Sequence, residues 1–248
     1  MVPAERIEVE VSRSVGSLPP ARLLEAGEAV CVAVPALPDV RMVNRAVGIT
    51  AQTTEAELDE IEAFFSKHGV RYQLAPAEPG LEARLAARGL VPAYAWMKFT
   101  RDVEPLDHRS DLRVERIGAA GAADFARVVR DTWGFPEELE GLLVDMVGTS
   151  GWTCYVTYDG EEAAGAAALY VNGDTGWLGF GSTLPAFRGR GSQSALFAVR
   201  IADAAGQGAS LLVTETGVAG DDGPGASYRN ILRAGFTQAY ARPNFIRP

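Results

Sequence analysis

Residues 180–200 read Phe-Gly-Ser-Thr-Leu-Pro-Ala-Phe-Arg-Gly-Arg-Gly-Ser-Gln-Ser-Ala-Leu-Phe-Ala-Val-Arg. The stretch predicts a strand end, a proline stop, a glycine-rich basic turn and a helix. Trp177, Leu178 and Phe180 carry the strand, and Pro185 bounds it. Gly189 and Gly191 flank Arg190 in the turn. From Ser192 onward apolar residues fall at Ala195, Leu196, Val199 and Ala202, a helical spacing with one buried stripe. Gly206 and Gly208 close that helix.

Such a turn can bind an anion. The first amides of a helix have no partner inside it and carry the positive end of its dipole. Glycines at 189 and 191 remove side chains that would keep a phosphate from the backbone. Arg188 and Arg190 add fork-shaped donors suited to phosphate oxygens. A glycine-rich turn alone reads as a solvated surface turn. A buried strand, a proline, paired Arg-Gly steps and an amphipathic helix together favour phosphate binding.

At these residues the chain resembles the GNAT superfamily of acyl-CoA-dependent N-acyltransferases. The family signature is Arg or Gln, two residues, Gly, one residue, then Gly or Ala. Arg188 and Gly191 match it, and Gln193 departs from the usual small residue. The resemblance covers residues 112–248 well and the first hundred loosely. It implies a mixed α/β sheet flanked by helices and acetyl-CoA as co-substrate. Pyrophosphate binding then falls to Arg188, Gly189, Arg190, Gly191, Ser192 and Gln193, and pantetheine binding to the main chain of Ser182, Thr183 and Leu184. The implied product is an acetylated primary amine on a small-molecule or peptide acceptor.

Composition narrows the alternatives. The 248 residues suit one large domain or two small ones. Hydrophobic residues at 47% and charged residues at 22% are an ordinary globular balance. The net charge of −9 argues against a nucleic-acid partner. Cys31 and Cys154 lie in apolar runs and read as buried free thiols. His68 and His108 form no metal-like spacing with them, so no metal is expected. The first residues lack a signal-peptide core, and no stretch is apolar enough to span a bilayer. A cytoplasmic protein with no membrane partner is the expectation, and a homodimer stays open.

The rest of the chain reads in order as follows. Residues 5–11 alternate polar and apolar and read as a strand or extended arm. Residues 21–26 read as a short helix, 29–34 as a buried strand and 40–49 as another strand. Thr53 or Thr54 caps a helix, with Glu57 completing a capping box; Leu58, Ile61, Phe64 and Phe65 share its face. Strands at 70–74 and 91–100 enclose a helix at 81–88. The polar run 101–111 is the best linker. It separates a degenerate GNAT-like domain, residues 1–105, from a catalytic domain, residues 112–248. Then come a strand at 112–117, a helix at 122–133, a helix opened by Pro136, and a hairpin around Asp159-Gly160. A strand at 211–216, a helix at 228–233 and a strand at 236–242 follow. Strand-helix-strand-helix-strand over residues 40–100 recurs over 174–246, which suggests two related domains, the first without a phosphate cradle.

Acyl transfer needs a held cofactor, a neutral amine, a polarised carbonyl and a protonated leaving thiolate. A strand that pairs with the cofactor must be splayed from its neighbour, and Gly179 and Gly181 fit a bulge that begins such a split. Glu215 ends a strand whose face carries Leu211 and Val213, at the end where open α/β sheets bind ligands. It reads equally as a general base or as an ion-pair partner of Arg229 or Arg233. The family's acid tyrosine falls at Ile231 here, and Tyr228, one turn earlier, is the substitute. Tyr228 reads about equally as a packing residue. A protein that binds or senses acyl-CoA without turnover is the alternative reading.

Overall fold

The structure, a computed structural model, describes residues 1–220 and 223–248. The chain begins with a helix, α1, Pro3–Gly16. There follow β1, Arg22–Ala26, β2, Ala29–Ala33, and β3, Arg45–Ile49. Next come α2, Glu55–His68, β4, Gln73–Pro76, α3, Glu82–Ala87, and β5, Val91–Arg101. The second half holds β6, Arg113–Ile117, α4, Ala122–Trp133, and α5, Glu140–Met146. It continues with β7, Trp152–Asp159, β8, Glu162–Asn172, and β9, Thr175–Thr183. It closes with α6, Ser192–Gly206, β10, Leu211–Gly217, α7, Ala226–Arg233, and β11, Thr237–Ile246.

The chain divides into two compact units, Met1–Lys98 with Tyr240–Pro248, and Phe99–Ala239. In the first, the strand order is β1-β2-β3-β4-β11-β5; β3 and β4 are parallel, and β11 runs antiparallel to β4. In the second, the order is β10-β9-β8-β7-β6; β9 and β10 are parallel and the other pairs antiparallel. Each unit is thus a mixed sheet with helices packed on it. Strand-helix-strand-helix-strand occurs twice, as β3-α2-β4-α3-β5 and as β9-α6-β10-α7-β11.

Four local expectations are corrected. Residues 5–11 are helical because Glu5, Glu8 and Ser12 face inward with Ala4, Ile7 and Val11. Counting the acids as outward produced a period of two; counting them inward restores the helical period. Residues 22–26 form a strand because Leu23 and Leu24 pair with Val32 and Cys31 across a tight turn, and pairing overrides propensity. The strand expected from residue 40 begins only at Arg45. Before it, the buried Asn44 side chain accepts from the Val34 amide at 2.7 Å and donates to the Leu37 carbonyl at 2.7 Å, which fixes a loop. In α6, Ala202 is exposed, and Ile201 and Ala204 continue the buried stripe instead. The capping box at Thr54 and Glu57 is present. Cys31 and Cys154 are buried free thiols, and burial pushes the Cys154 thiol up to about 12.

The first unit is pinned by buried charge. Glu8, fully buried on α1, pairs with Lys98 on β5, with Arg242 on β11 and with Arg45 on β3, the last at 3.1 Å. Arg242 also donates to Glu5 at 2.9 Å, and the Tyr240 hydroxyl donates to Glu5 at 2.6 Å. Burial alone would raise the Glu8 carboxyl, but the charges of Arg242, Lys98 and Arg45 outweigh it and hold it far below the usual carboxylate range. Its stabilising contribution is therefore present above the unfolded value, about pH 4.3, and fades as pH falls below that. Glu8→Gln leaves two buried cations short of their partner and should cost about 3–5 kcal/mol at pH 7. Urea denaturation of both proteins between pH 3 and 7 checks this, with the gap expected to narrow toward the acid end.

Candidate functional site

The second unit holds the Arg-Gly turn. Strand β9 starts as an ordinary partner of β10, with Leu211, Leu212 and Val213 opposite Thr175, Gly176 and Trp177. Regular pairing stops there, and one more tie follows, from the Thr214 hydroxyl to the Leu178 carbonyl at 2.7 Å. On its other side β9 stays paired with β8, but the register jumps from Ala168↔Gly179 to Ala166↔Ser182. One extra residue is thus inserted in β9, a bulge. Phe180 sits within it at φ +56°, a left-handed conformation rare for a bulky residue. Gly179 is required beside it, because an added Cβ would overlap the Trp177 ring. The split that the sequence expected at Gly179 and Gly181 is present in this geometry.

Beyond β9 the chain makes a short 3₁₀ turn, Pro185–Phe187, and reaches Gly191, the N-cap of α6. Gly191 has φ +83° and no side chain to offer the first amides. Among the described residues, no partner is found for the amides of Gly189, Arg190, Gly191, Ser192 or Gln193. Arg188 is exposed, and among the described residues its side chain makes one long bond, from Nε to the Thr183 carbonyl at 3.4 Å.

Other side chains of the turn have partners of their own. Arg190 forks onto Asp159 at 2.6 Å and onto Asp111 at 2.9 Å, so it ties the turn to the β7–β8 hairpin and to the linker. Ser192 is buried, with its hydroxyl 2.9 Å from that of Thr157. Gln193 donates from Nε2 to the Ser182 carbonyl at 3.0 Å and to the Thr183 hydroxyl at 3.0 Å. The Ser182 hydroxyl accepts from the Trp133 indole at 2.7 Å and donates to the Phe180 carbonyl at 3.1 Å. Trp133 and Phe135, stacked 5.6 Å apart, were not singled out as site residues by sequence reasoning. Their sequence signal was an aromatic pair flanking the helix-closing Gly134.

The two residues expected to do chemistry lie apart from the turn in sequence. Glu215 is half-buried near the end of β10, past the point where β10 leaves β9. Arg229 donates to the Pro224 carbonyl, and Arg233 to the Asn230 side chain at 3.0 Å. Tyr228 is buried on α7, its ring packed edge-on against Phe99 at 4.8 Å. Ile231 is buried one turn on.

The first unit builds the same turn with opposite chemistry. Strands β3 and β4 stay paired from Arg45↔Gln73 to Ile49↔Pro76, and the Ala77 amide still donates to the Ile49 carbonyl at 2.8 Å. No split opens. The turn before α2 satisfies its own amides: Thr50 donates to the Thr53 hydroxyl, Ala51 to the Glu78 carboxylate, and Thr54 to the Glu57 carboxylate at 2.6 Å. Where the second unit presents open amides, the first has filled them with two carboxylates and a threonine hydroxyl.

No group of three His, Cys, Asp or Glu among the described residues could hold a metal ion. No helix among them is long and apolar enough to cross a membrane.

No protein-family profile matches the chain, and no curated protein sequence matches it. Solved structures do. A GCN5-related N-acetyltransferase from Kribbella flavida superposes with a TM-score of 0.71 at 19% identity, over 100% of this chain and 96% of that one. A GCN5-related N-acetyltransferase from Sphaerobacter thermophilus gives 0.62 at 16% identity, over 95% and 84%. A tandem GNAT protein from the clavulanic acid biosynthesis pathway gives 0.61 at 14% identity, over 96% and 86%. The chain therefore shares the fold of these N-acetyltransferase structures along its length.

The linker dictates one glycine. A Cβ at residue 191 would overlap the Arg109 carbonyl oxygen, whereas a Cβ at residue 189 meets open space. Both positions have positive φ, so alanine at either costs about 1–2 kcal/mol of backbone strain. Gly191→Ala adds a steric clash and should lower Tm at least about twice as far as Gly189→Ala. Thermal denaturation of the two variants side by side is the check; equal shifts would contradict the packing of residue 109 on residue 191.

Proposed function

We propose that this protein is an acyl-CoA-dependent N-acyltransferase with one cofactor site, in the second unit. The observation that carries the reading is the split of β9 from β10 next to an α6 terminus with open amides. A pyrophosphate at that terminus would meet the amides of residues 189–193, the positive end of the helix dipole and the Arg188 guanidinium. Arg190 would shape the turn through Asp111 and Asp159 as well as lend charge. A pantetheine arm would lie along Ser182, Thr183 and Leu184, in the strand that β10 has left. The acyl carbonyl would then face the end of β10.

In this reading Glu215 accepts the proton of the attacking amine, directly or through water, and Tyr228 protonates the leaving thiolate. The amine nitrogen forms a bond to the thioester carbonyl carbon, the carbon–sulfur bond breaks, and the proton passes to the sulfur. Acetyl-CoA is the proposed donor, and a primary amine on a small molecule or peptide the acceptor. The net charge of −9 fits a cationic acceptor and not a nucleic acid. One observation favours a second reading, in which acyl-CoA is bound without turnover. Ile231 occupies the position where the resemblance puts the acid, and Tyr228 is packed on Phe99.

Titration calorimetry with acetyl-CoA should find one site per chain, because the first unit has closed its cradle with Glu57 and Glu78. Two sites per chain would overturn the assignment. Thiol release in the presence of an amine panel separates the two readings: Glu215→Gln should lower turnover while leaving acetyl-CoA affinity within about twofold.

Gln193 generates a second expectation. Its side chain holds the Ser182 carbonyl that a pantetheine amide would use. Gln193→Ala removes that competitor, worth about one hydrogen bond, and should tighten acetyl-CoA binding roughly two- to tenfold. Weaker binding would assign Gln193 to the ligand's own contacts.

A further inference from the structure

Arg200 is the one arginine of α6 after its first turn, and it is 1% exposed. No carboxylate of the described residues forms an ion pair with it. Its Nε donates to the Leu196 carbonyl at 2.9 Å, and its ring-side contact is Phe197, 4.8 Å from guanidinium carbon to ring centre. One terminal nitrogen donates to two strand carbonyls, Ala168 at 3.3 Å and Gly179 at 3.2 Å. The other is buried with no partner in the structure. Burial disfavours the charge and pushes the guanidinium down to about 9.

A buried cation without an anion is costly, and a hydrophobic side chain of similar length would pack a core more cheaply. The position of the two carbonyls explains its presence. Ala168 and Gly179 are the last regular pair of β8 and β9 before the register jumps. Immediately beyond them Phe180 turns to φ +56°. A bulge disrupts the ladder locally, and a buried carbonyl deprived of a donor is destabilising. Arg200 adds a donor to both carbonyls from the α6 side, where the ladder is about to break. From the α4 side, Trp133 and the Ser182 hydroxyl supply the donor that reaches the Phe180 carbonyl.

We propose that Arg200 is the positioning residue of the split strand: by holding the Ala168 and Gly179 carbonyls it fixes the bulge that turns residues 180–183 toward the pantetheine arm of an acyl-CoA. The second half of this statement rests on the acyltransferase reading, and the first half does not. Arg200 touches neither the ligand nor the reacting atoms. It acts through the strand, and the free energy lost in burying its charge is offset by a backbone shape that an apolar residue would let relax.

The test uses the full chain with Arg200→Met, which keeps length and removes every donor, and Arg200→Lys, which keeps one. Hydrogen exchange in the free protein compares residues 178–184 with residues 152–158 of β7. In Arg200→Met, exchange over 178–184 should rise about tenfold or more, with β7 unchanged and Arg200→Lys in between. Binding is measured with two probes, acetyl-CoA and adenosine 3′,5′-bisphosphate, which lacks the pantetheine arm. Acetyl-CoA affinity should fall about tenfold or more, and the nucleotide probe should stay within about twofold. Parent-like exchange over 178–184 in a folded Arg200→Met overturns the proposal, as does an equal loss for both probes, which would make Arg200 a general scaffold residue. Raised exchange in a protein whose parent binds no acetyl-CoA upholds the strand role and sinks the acyltransferase reading instead. If Arg200→Met does not fold, Arg200→Lys is held to the same criteria at smaller amplitude.

Discussion

The Glu8 carboxylate lies inside the first unit, and a charge in that position is tolerated only where its partners are fixed. Those partners come from far along the chain: Arg45 on β3, Lys98 on β5 and Arg242 on β11. Their convergence requires α1 to be a helix that presents Glu5, Glu8 and Ser12 to the sheet. It also requires the last residues of the chain to run beside β4 in the first unit, where Phe245 and Ile246 pair with Leu74 and Gln73. A hydrophobic contact could tolerate a shift of register here. A buried carboxylate with three cations cannot, so this network sets the pairing of elements separated by most of the sequence.

The repeated strand-helix order shows how one architecture supports opposite chemistry. In both units a parallel strand pair frames a helix terminus. In the first the strands stay together, and Glu57, Glu78 and the Thr53 hydroxyl consume turn amides. In the second the strands part after Val213, and glycine leaves the helix terminus without a cap. The difference lies in a handful of side chains at equivalent places. A carboxylate at a helix N-terminus is itself a stabilising device, worth up to about 1 kcal/mol. Closing the first cradle therefore gains stability, and leaving the second open forgoes it, which is the pattern expected where a site is kept for a ligand.

What the sequence revealed follows from which interactions are local. The turn from Pro185 to Ser192, the capping box at Thr54 and Glu57, and the hairpin at Asp159-Gly160 are all decided within a few residues, and each was legible. The order of elements in the second unit was legible for the same reason. The helix α1 was not, because the partners that bury Glu5 and Glu8 are beyond any local window. The strand at residues 22–26 was missed because its pairing with β2, and not its own propensity, makes it a strand. Within the site, both glycines were read as room for a phosphate; the structure opposes a side chain only at residue 191, and the neighbour there is the linker carbonyl of Arg109. Arg190 was read as a donor to phosphate oxygens, and its carboxylate partners, Asp111 and Asp159, lie 79 and 31 residues away.

The bulge in β9 joins these levels. Once Gly179 lets the Trp177 indole lie across the strand, Phe180 is carried to positive φ and the ladder to β8 gains an extra residue. Regular pairing with β10 ends at Trp177 and Val213, and the bulge follows directly in the same strand. The split exposes strand carbonyls, and each has been given a donor: Thr214 for Leu178, Arg200 for Gly179, Ser182 for Phe180, and Gln193 for Ser182. All four are side-chain donors, which a regular ladder would not need. Their polar atoms are spent on maintaining an irregular strand, at a cost in buried polarity that a plain ladder avoids. Such an expense is physically intelligible if the irregular strand is itself what the site requires, since β3, which stays paired with β4 through its own register shift at Gly48, leaves no free strand edge there.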